Sequence, residues 1–526
     1  MITLRPYQKE PVSKAVEFFM SDNAEPALMV CPTGYGKSII VAEAAAACPD
    51  PILVVQPSKE LLEQNLEKYR LLCGALAPAG VFSAAFGKKE IDHVTFATIG
   101  SVKSVGARFR ELGFRKMIID EAHLYPRKER SMLGEFLSQS GIHQVLGLTA
   151  TPLKLEQHSE KQGDRFDKWS QLTMLTNPSP DGTFFKHMLH VSQIQEMTSS
   201  GFWSPLIYEQ LPFDKNVLKY NSSMSDYSDD SVVDAYTANN TRANIFAALD
   251  WHRERRRAIV FVPSVEEAAI LAQSYPGSAY VCGETPPKER AYIFARFRAG
   301  EIRVLFGVSV FGVGFDCPQI DMIILATPTA SVARYYQYTG RGVRICEGKR
   351  DCLVVDMAGN LERFGRIEDL RFEHNGRWRL YGSGGRLLSG IPINCIGSIT
   401  KKDITAMLSR PALTTLMSFG KHAGKPVELL PVSYITWYLT SNGRQDEYLR
   451  CAMIRALENH IKDTTRDAPL TVIPDGKHAG ASIYEVPRGY LAWYYGAQSW
   501  NETNDSLRRG LEMALGGVPS AMKKTA

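Results

Sequence analysis

A glycine-rich segment near the N-terminus has the residue types of a phosphate-binding loop, CPTGYGKS at residues 31–38. An apolar run at residues 27–30 precedes it and a helix-forming run follows it, which predicts a strand, a turn and a helix. Backbone N–H groups of such a turn bind phosphate oxygens together with the helix N-terminus. Lys37 is expected to reach the outer phosphates and the Ser38 hydroxyl to ligate magnesium, while Cys31 replaces the usual first glycine. The predicted nucleotide contacts of the loop are Thr33, Gly34, Tyr35, Gly36, Lys37 and Ser38.

Two adjacent acids follow a second apolar run. Residues 116–119 predict a short strand that delivers Asp120 and Glu121 to its carboxyl end, where α/β sheets bind ligands. Asp120 would hold magnesium, and Glu121 would orient and deprotonate an attacking water. A pair of acids is by itself typical of a solvated turn. The phosphate-binding loop upstream favours nucleotide hydrolysis instead.

Two arginines near residue 340 could bring positive charge to the same site. Phosphoryl transfer spreads negative charge over the γ-phosphate, and a cation inserted from another lobe stabilises that charge. Arg341 and Arg344 lie three residues apart, which predicts a shared helical face, and Gln337 precedes them on it. The alternative is a surface helix whose arginines only add solubility. The apolar strand predicted at residues 322–326 just before this segment favours the catalytic interpretation.

These segments together resemble superfamily 2 helicases, and in detail the RadD-like branch of bacterial and phage DEAH-box DNA helicases. The resemblance spans about residues 2–366. Its motifs are LRPYQ at 4–8, CPTGYGKS at 31–38, DEAH at 120–123, GLTATP at 147–152, GFD at 314–316 and TGRGVR at 339–344. It implies an α/β fold with two RecA-like lobes, each a doubly wound parallel sheet, and an enzyme that hydrolyses ATP with Mg²⁺.

The resemblance also implies roles for individual residues. Arg5 and Gln8 would contact adenine, and Gly314 and Asp316 would face the nucleotide from the second lobe together with Gln337, Arg341 and Arg344. His123 would couple the hydrolytic acids to Thr149 and Thr151 or to Gln337.

Family members also grip one nucleic-acid strand along both lobes through its phosphates. The matching positions are Gln56, Pro57, Ser58, Thr98, Ser101 and Ser264. A serine before a helix is equally typical of an ordinary N-cap. Gly307 and Gly312 stand where the family often has asparagine and threonine, so one side-chain contact to the strand is expected to be absent.

The composition agrees with a helicase but does not distinguish a helicase from other globular proteins. The chain has 526 residues, 44% hydrophobic and 22% charged, a net charge of +5 and a pI near 8.6, so any nucleic-acid surface must be local. Nine cysteines include no CxxC pair, so no zinc is expected. Neither a long apolar run nor a leader is evident, which predicts a cytoplasmic protein, in a bacterium or a phage-infected cell, without a membrane partner.

Changes of pattern along the chain predict its organisation. The first lobe is expected at 1–205, a connecting segment at 206–240, the second lobe at 241–366, and a linker or hairpin region at 367–412. The sequence RWRLYGSGGRL at 377–387 predicts a hairpin around its glycines, either a wedge between strands or a cap on the second lobe.

The C-terminus contains a tandem repeat, which predicts a small α+β region with copies at 413–465 and 466–526. FGKHAG at 419–424 recurs as DGKHAG at 475–480, and Tyr434 and Trp437 recur as Tyr490 and Trp493, at a constant offset of 490 − 434 = 56. The copies resemble the GKxxG modules of exonuclease X-like proteins. Their turns predict nucleic-acid contacts by Lys421, His422, Lys477 and His478. Tyr434, Trp437, Tyr490 and Trp493 are expected to form core.

The leading hypothesis is an ATP-dependent DNA helicase or translocase that remodels branched or forked DNA in replication, recombination or repair, with single-stranded, forked or branched DNA as its partner. One alternative is an RNA helicase or a translocase that moves on duplex DNA without separating strands. Another is a nucleotide-gated scaffold that recruits a nuclease or recombination protein.

Overall fold

The computed structural model describes most of the chain. The described residues are 4–75, 77–125, 131–162, 165–177, 183–308, 315–410, 415–417, 419–441, 446–460, 477, 483, 486–497, 507, 508, 511, 512 and 515. They form two compact units. The first comprises Met1–Ser159, Lys168–Asn177 and Thr183–Thr400, and the second comprises Glu160–Asp167, Pro178–Gly182 and Lys401–Ala526.

The first unit begins with an eight-stranded sheet. Its strands are β1 (Ala27–Val30), β2 (Ile52–Gln56), β3 (Gly80–Ser83), β4 (Lys88–Lys89), β5 (Val94–Thr98), β6 (Lys116–Asp120), β7 (Gln144–Thr149) and β10 (His187–Val191), with the β8–β9 hairpin (Leu153–Gln162, Arg165–Met174) between the last two. The order is β10-β1-β7-β6-β2-β5-β3-β4, and only β4 pairs antiparallel. The strands β1 and β2 are buried throughout, because helices cover both faces of a parallel sheet.

The helices of this lobe are α1 (Pro6–Met20), α2 (Lys37–Ala47), α3 (Lys59–Cys73), α4 (Ile99–Val102), α5 (Gly106–Glu111), α6 (Met132–Ser140) and α7 (Ile194–Ser199). α2 begins directly after the glycine-rich loop, and α3 begins after β2 with Ser58 as its N-cap.

A second, wholly parallel sheet forms the other lobe. Its strands are β11 (Leu206–Gln210), β12 (Ala258–Phe261), β13 (Ser278–Val281), β14 (Val304–Gly307), β15 (Met322–Leu325) and β16 (Cys352–Asp356), in the order β11-β16-β15-β12-β14-β13. Its helices are α8 (Asp229–Ala238), α9 (Thr241–Trp251), α10 (Val265–Ser274), α11 (Pro287–Ala299), α12 (Val332–Thr339) and α13 (Asn360–Phe364). The two sheets bear out the predicted α/β fold with two RecA-like lobes.

The segment predicted as a connection at 206–240 differs from that prediction. Leu206–Gln210 adds a strand to the second sheet by pairing in parallel with Cys352–Asp356, so this sheet starts before residue 241. Sequence alone did not indicate this strand, because only two of its five residues are apolar, as expected of a strand at the sheet edge.

Two successive chain reversals follow the second sheet. The one that the sequence predicted lies at Ser383–Gly385, where Tyr381 pairs antiparallel with Leu387, and an earlier hairpin precedes it. β17 (Arg371–Asn375) pairs antiparallel with β18 (Arg377–Tyr381), so the turn lies at Gly376, whose φ is +73°. Backbone groups of Trp378 bond the Asn177 side chain at 2.8 and 3.2 Å. The hairpin is therefore docked on the motor and does not project as a free wedge.

The second unit is largely helical, with α14 (Lys401–Ser409), α15 (Val432–Thr440), α16 (Glu447–His460) and α17 (Arg488–Ala497). In the first repeat copy, residues 415–417 pair antiparallel with 425–427 around the glycine turn. α15 and α17 start at the repeat offset, since 488 − 432 = 56.

The expectation that the repeat aromatics form core is wrong for both tryptophans. Trp437 is 56% exposed and Trp493 is 63% exposed. The buried face of α15 carries Val432, Ile435 and Leu439, and the helical period places Trp437 on the opposite side.

Candidate functional site

The glycine-rich loop joins β1 to α2 in the geometry of a phosphate cradle. Gly34 and Gly36 have φ values of +77° and +93°, which side chains rarely adopt. A Cβ atom at Gly36 would also collide with the amide nitrogen of Gln8. Burial raises the pKa of the Cys31 thiol to about 12, so this first loop residue is a neutral core residue.

Lys37 and Glu121 face each other at the end of the loop. The Lys37 ammonium lies 3.4 Å from Glu121 Oε1, and both side chains are largely shielded from solvent. Burial opposes charge on Lys37, but Glu121 and Asp120 outweigh it and hold the pKa of Lys37 above its usual value. Burial likewise opposes charge on Glu121, but Lys37 prevails through its charge and a hydrogen bond and lowers the pKa of Glu121. Glu121 is therefore ionised at neutral pH.

Asp120 is held in place by two hydrogen bonds. Its Oδ2 accepts from Asn65 Nδ2 at 2.9 Å, and its Oδ1 accepts from the backbone N–H of Glu121 at 2.9 Å. Burial raises the pKa of Asp120 and the adjacent Glu121 carboxylate raises it further, although Lys37 and Asn65 counteract both. Asp120 lines the same cleft as Ser38, so these two side chains offer the oxygen ligands that Mg²⁺ prefers.

The second lobe brings its arginines to this cleft, which has a volume of about 740 Å³. Arg341 donates to the carbonyl oxygen of Phe315 at 2.8 Å, and Arg344 forms an ion pair with Asp316. Burial lowers the pKa of each arginine to about 10, which leaves both charged at neutral pH. The cleft is lined by these predicted site residues: Lys37, Ser38, Asp120, Glu121, Thr151, Gln337, Arg341 and Arg344.

The two arginines do not share a helical face, contrary to the expectation from their spacing. α12 ends at Thr339, and Arg341 and Arg344 lie on the turn that follows it. The turn packs closely against β16, since a Cβ at Gly342 would lie 2.5 Å from Cys352 Sγ. Gln337 does lie on α12.

His123 links the two lobes. Its Nδ1 lies 2.9 Å from Thr149 Oγ1 and 3.5 Å from Glu121 Oε2, while its Nε2 lies 3.3 Å from the amide nitrogen of Gln337. An amide nitrogen can only donate, so the neutral ring accepts at Nε2 and donates from Nδ1 to Thr149. Burial lowers the pKa of His123, against the effect of Glu121, which favours this neutral form. Thr149 Oγ1 also accepts from the backbone N–H of Thr151 at 3.0 Å.

The residues predicted to contact adenine occupy two different places. Arg5 lines the cleft with its guanidinium 5.2 Å from the centre of the Phe202 ring. Gln8 is buried instead: its amide nitrogen donates to the carbonyl of Tyr35 at 2.8 Å, and its oxygen accepts from the Arg5 N–H at 2.9 Å. Gln8 thus stabilises the phosphate loop, because its amide nitrogen donates to the Tyr35 carbonyl of that loop.

Three further residues position the site and were missed by sequence reasoning. The Tyr336 hydroxyl accepts from the backbone N–H of Thr33 at 3.0 Å, and Trp203 Nε1 donates to the Thr33 carbonyl at 2.9 Å. Lys349 Nζ donates to the carbonyls of Pro318, Gly342 and Arg344 at 3.2, 2.6 and 2.8 Å. Only the place of Tyr336 next to Gln337 could have signalled such a role.

The positions expected to touch nucleic acid mostly serve local structure. Ser58 and Ser264 cap α3 and α10, with their hydroxyls accepting from Leu61 and Glu267 at 3.3 and 3.1 Å. Pro57 is partly exposed before α3, and the Thr98 and Ser101 hydroxyls bond each other at 2.9 Å. The prediction is wrong for Gln56, because this residue is fully buried in β2 and cannot reach a nucleic-acid strand.

In the second unit, Lys421 is exposed and His422 half-buried on the turn of the first repeat copy, and Lys477 is exposed in the second. Gly314 and His478 lie outside the described residues. Within the described ranges, no group of three or more His, Cys, Asp or Glu side chains is arranged to hold a metal ion. No helix among the described residues is long and apolar enough to cross a membrane.

Two family models match the parts of the chain that form this cleft. The type III restriction enzyme res subunit model matches residues 1–154, and the helicase conserved C-terminal domain model matches residues 214–346. The first contains the phosphate loop and both acids, and the second contains Gln337 and both arginines. Together the two matches support an ATP-hydrolysing helicase.

Relatives of this helicase share the same region. It is 23% identical over 361 residues to a 51.5 kDa protein of Lactococcus phage (isolate 7-9). The matched region covers 67% of this chain and 69% of the phage protein. It is 24% identical to the general transcription and DNA repair factor IIH helicase/translocase subunit XPB/SSL2 of Saccharomyces cerevisiae, over 61% of this chain but only 37% of that subunit. A fragment structure described as the HsdR subunit of a type I restriction enzyme from Vibrio vulnificus YJ016 has the same fold, with a TM-score of 0.50 and 18% identity over 70% of this chain and 66% of that one.

Proposed function

We propose that this helicase uses ATP to move along DNA and to separate or remodel strands at forks and branches. The observation that carries the proposal is the composite cleft, in which Lys37 and Glu121 of one lobe meet Arg341 of the other. A site built from both lobes couples nucleotide hydrolysis to their relative movement, because each half is incomplete alone.

The residues of the cleft divide the hydrolytic work. Lys37 binds the outer phosphates. Once its ammonium pairs with phosphate, the Glu121 carboxylate is free to bind the reacting water. The ionised Glu121 carboxylate orients that water and accepts its proton. Ser38 and Asp120 would hold Mg²⁺, which neutralises phosphate charge when bound. Arg341 and Arg344 stabilise the charge that develops on the γ-phosphate.

His123 provides the connection between hydrolysis and movement. A change at Glu121 alters the partner of His123, and His123 in turn bonds Gln337 on the second lobe. We infer that this contact reports the state of the nucleotide to the second lobe.

DNA as the substrate is supported by the yeast relative, which is named as a helicase/translocase subunit of a general transcription and DNA repair factor. Assignment to the RadD-like branch of bacterial and phage helicases is part of the proposal. The GKxxG repeats, which resemble modules of exonuclease X-like proteins, are proposed to bind DNA.

The test compares DNA-stimulated ATPase, strand displacement and triplex displacement by purified protein on single strands, blunt duplexes, forks, four-way junctions and RNA duplexes. We expect the highest stimulation and displacement on forks or junctions. Triplex displacement without strand separation would assign a duplex translocase. ATPase stimulated only by RNA, or by no nucleic acid, would overturn the proposal.

A further inference from the structure

Each repeat copy places a tyrosine and an exposed tryptophan side by side on its first helix. The Tyr434 and Trp437 ring centres lie 5.4 Å apart with 42° between the planes, and those of Tyr490 and Trp493 lie 5.3 Å apart at 46°. The two tryptophans are 56% and 63% exposed. The same surface arrangement thus occurs twice.

The tryptophan of the second pair is not required by the core beneath it. Leu491, Tyr494 and Tyr495 belong to the apolar cluster of the second copy and Tyr490 packs against it, whereas Trp493 takes no part in that cluster. A singly exposed tryptophan is ordinary, and Trp251 is an example at 83% exposure. Repetition of the same exposed ring pair at an offset of 56 residues indicates a binding role.

The surroundings of the first pair favour an anionic ligand with flat rings. Lys421 Nζ lies 5.9 Å from the centre of the Tyr434 ring, and the His422 ring lies 4.6 Å from it at 72°. Lys421 and Lys425 are both exposed on this turn, and Lys477 is exposed at the position of Lys421 in the second copy. Cations beside an exposed aromatic platform suit phosphate next to an unpaired base, whereas an uncharged peptide would not use them.

We propose that Tyr434 with Trp437 and Tyr490 with Trp493 are two equivalent stacking platforms for unpaired bases of single-stranded DNA. The inference rests on the proposed function, since it supplies that motor with a second grip on the strand it exposes. Stacking is insensitive to base identity because every base has a π-face. The lysines contribute the phosphate contact, and the tryptophans contribute the stacking.

The experiment measures binding of the full chain to fluorescein-labelled oligothymidine and oligouridine by anisotropy at several salt concentrations. Trp437→Ala and Trp493→Ala should each weaken binding to oligothymidine about tenfold, while Trp→Phe at either position should retain most of it. The matched control Trp251→Ala should bind like wild type. The slope of binding against salt should stay unchanged in the tryptophan variants and decrease in Lys421→Ala, because only the lysine contacts phosphate.

Intrinsic fluorescence provides a second readout. Oligothymidine should quench the tryptophan emission of wild type and of Trp251→Ala alike, and the double variant Trp437→Ala with Trp493→Ala should lose that quenching while keeping its melting temperature. Wild-type binding by the double variant, or equal loss in the Phe variants, would overturn the inference. Stronger binding of oligouridine than oligothymidine would reassign the platforms to RNA. Absence of DNA-stimulated ATPase in wild type would instead refute the proposed function itself.

Discussion

Glu121 has an unusual backbone conformation for its type. Its φ is +50°, in the left-handed region that non-glycine residues seldom occupy. Strain of this kind persists where the surrounding structure holds a side chain in a required direction. Here it turns the Glu121 carboxylate toward Lys37 and His123, at 3.4 and 3.5 Å. The backbone conformation of Glu121 therefore orients the carboxylate that is proposed to act as the base.

Replacement of either member of the Lys37–Glu121 pair tests the hydrolytic assignment. Lys37→Ala removes the phosphate contact and Glu121→Gln removes the base, so DNA-stimulated ATPase should fall at least about a hundredfold in each. DNA binding without nucleotide should stay within about threefold of wild type, which fluorescence anisotropy would measure, because neither side chain reaches the DNA-binding surface. The matched controls Lys14→Ala and Glu17→Gln, on α1, should leave turnover unchanged. Undiminished ATPase in Glu121→Gln would exclude it as the base.

Arg341 should act on the transition state and not on nucleotide binding. Arg341→Ala is expected to lower kcat by about a thousandfold, since a cation inserted from a second lobe contributes that much to phosphoryl transfer. Affinity for a non-hydrolysable ATP analogue, measured by calorimetry, should change little. Arg350→Ala removes a highly exposed arginine of the same segment and should have wild-type kcat. A weakened analogue affinity with normal kcat would contradict this role.

At the scale of elements, the turn after α12 carries both arginines without the regular bonds of a helix. Three carbonyls of this region instead accept from the single Lys349 ammonium. Burial lowers the pKa of Lys349, but its three hydrogen bonds need the charged amine. The turn is therefore held by one side chain that does not line the cleft.

Loss of that ammonium should loosen the turn. Lys349→Met is expected to lower kcat by roughly tenfold, through displacement of Arg341 and Arg344, and to lower the melting temperature by a few degrees. In the Arg341→Ala background the same change should have little further effect on kcat, because both act through one step. Fully additive losses in this double-mutant cycle would show that Lys349 acts elsewhere.

The contact between His123, on the turn after β6, and Gln337, on α12, should couple DNA binding to ATP hydrolysis. Gln337→Ala removes the amide that meets His123, and we expect basal ATPase to persist while stimulation by DNA falls about tenfold or more. Gln319→Ala, an exposed residue lining the same cleft, is the control and should keep full stimulation. Equal loss of basal and stimulated rates in Gln337→Ala would assign it to hydrolysis instead. Steady-state ATPase with and without single-stranded DNA distinguishes the outcomes.

At the scale of the whole molecule, the chain divides into a motor and a C-terminal unit with separate cores. Every described residue that lines the nucleotide cleft lies in the first unit. The second unit has its own apolar cluster around Leu491 and Leu511. Such a division lets a hydrolytic activity and a binding surface be removed independently.

Truncation after Thr400 should therefore separate the two activities. The shortened protein is expected to keep ATPase stimulated by saturating single-stranded DNA within about threefold of wild type, because its cleft is complete. Its affinity for that DNA should fall about tenfold or more, since both aromatic platforms are lost. Stimulation curves against DNA concentration would separate the two effects. A truncated protein with unchanged half-saturation would deny the second unit a role in binding.

Local pattern determined much of this molecule. Continuous apolar runs that end in polar residues predict parallel strands with functional groups at their carboxyl ends, so the loop around Lys37 and the acids after β6 follow from sequence alone. The repeat offset likewise predicts α17 from α15. These features depend on residues that are neighbours in the chain.

Only the tertiary structure decided features set by distant partners. The amide of Gln8 turns to the Tyr35 carbonyl, Gln56 is buried, and Arg341 lies on the turn that follows α12. Trp437 is exposed because the opposite face of its helix packs inward. Burial and hydrogen-bond choice depend on which surfaces meet in space, and residues hundreds of positions apart supply those surfaces.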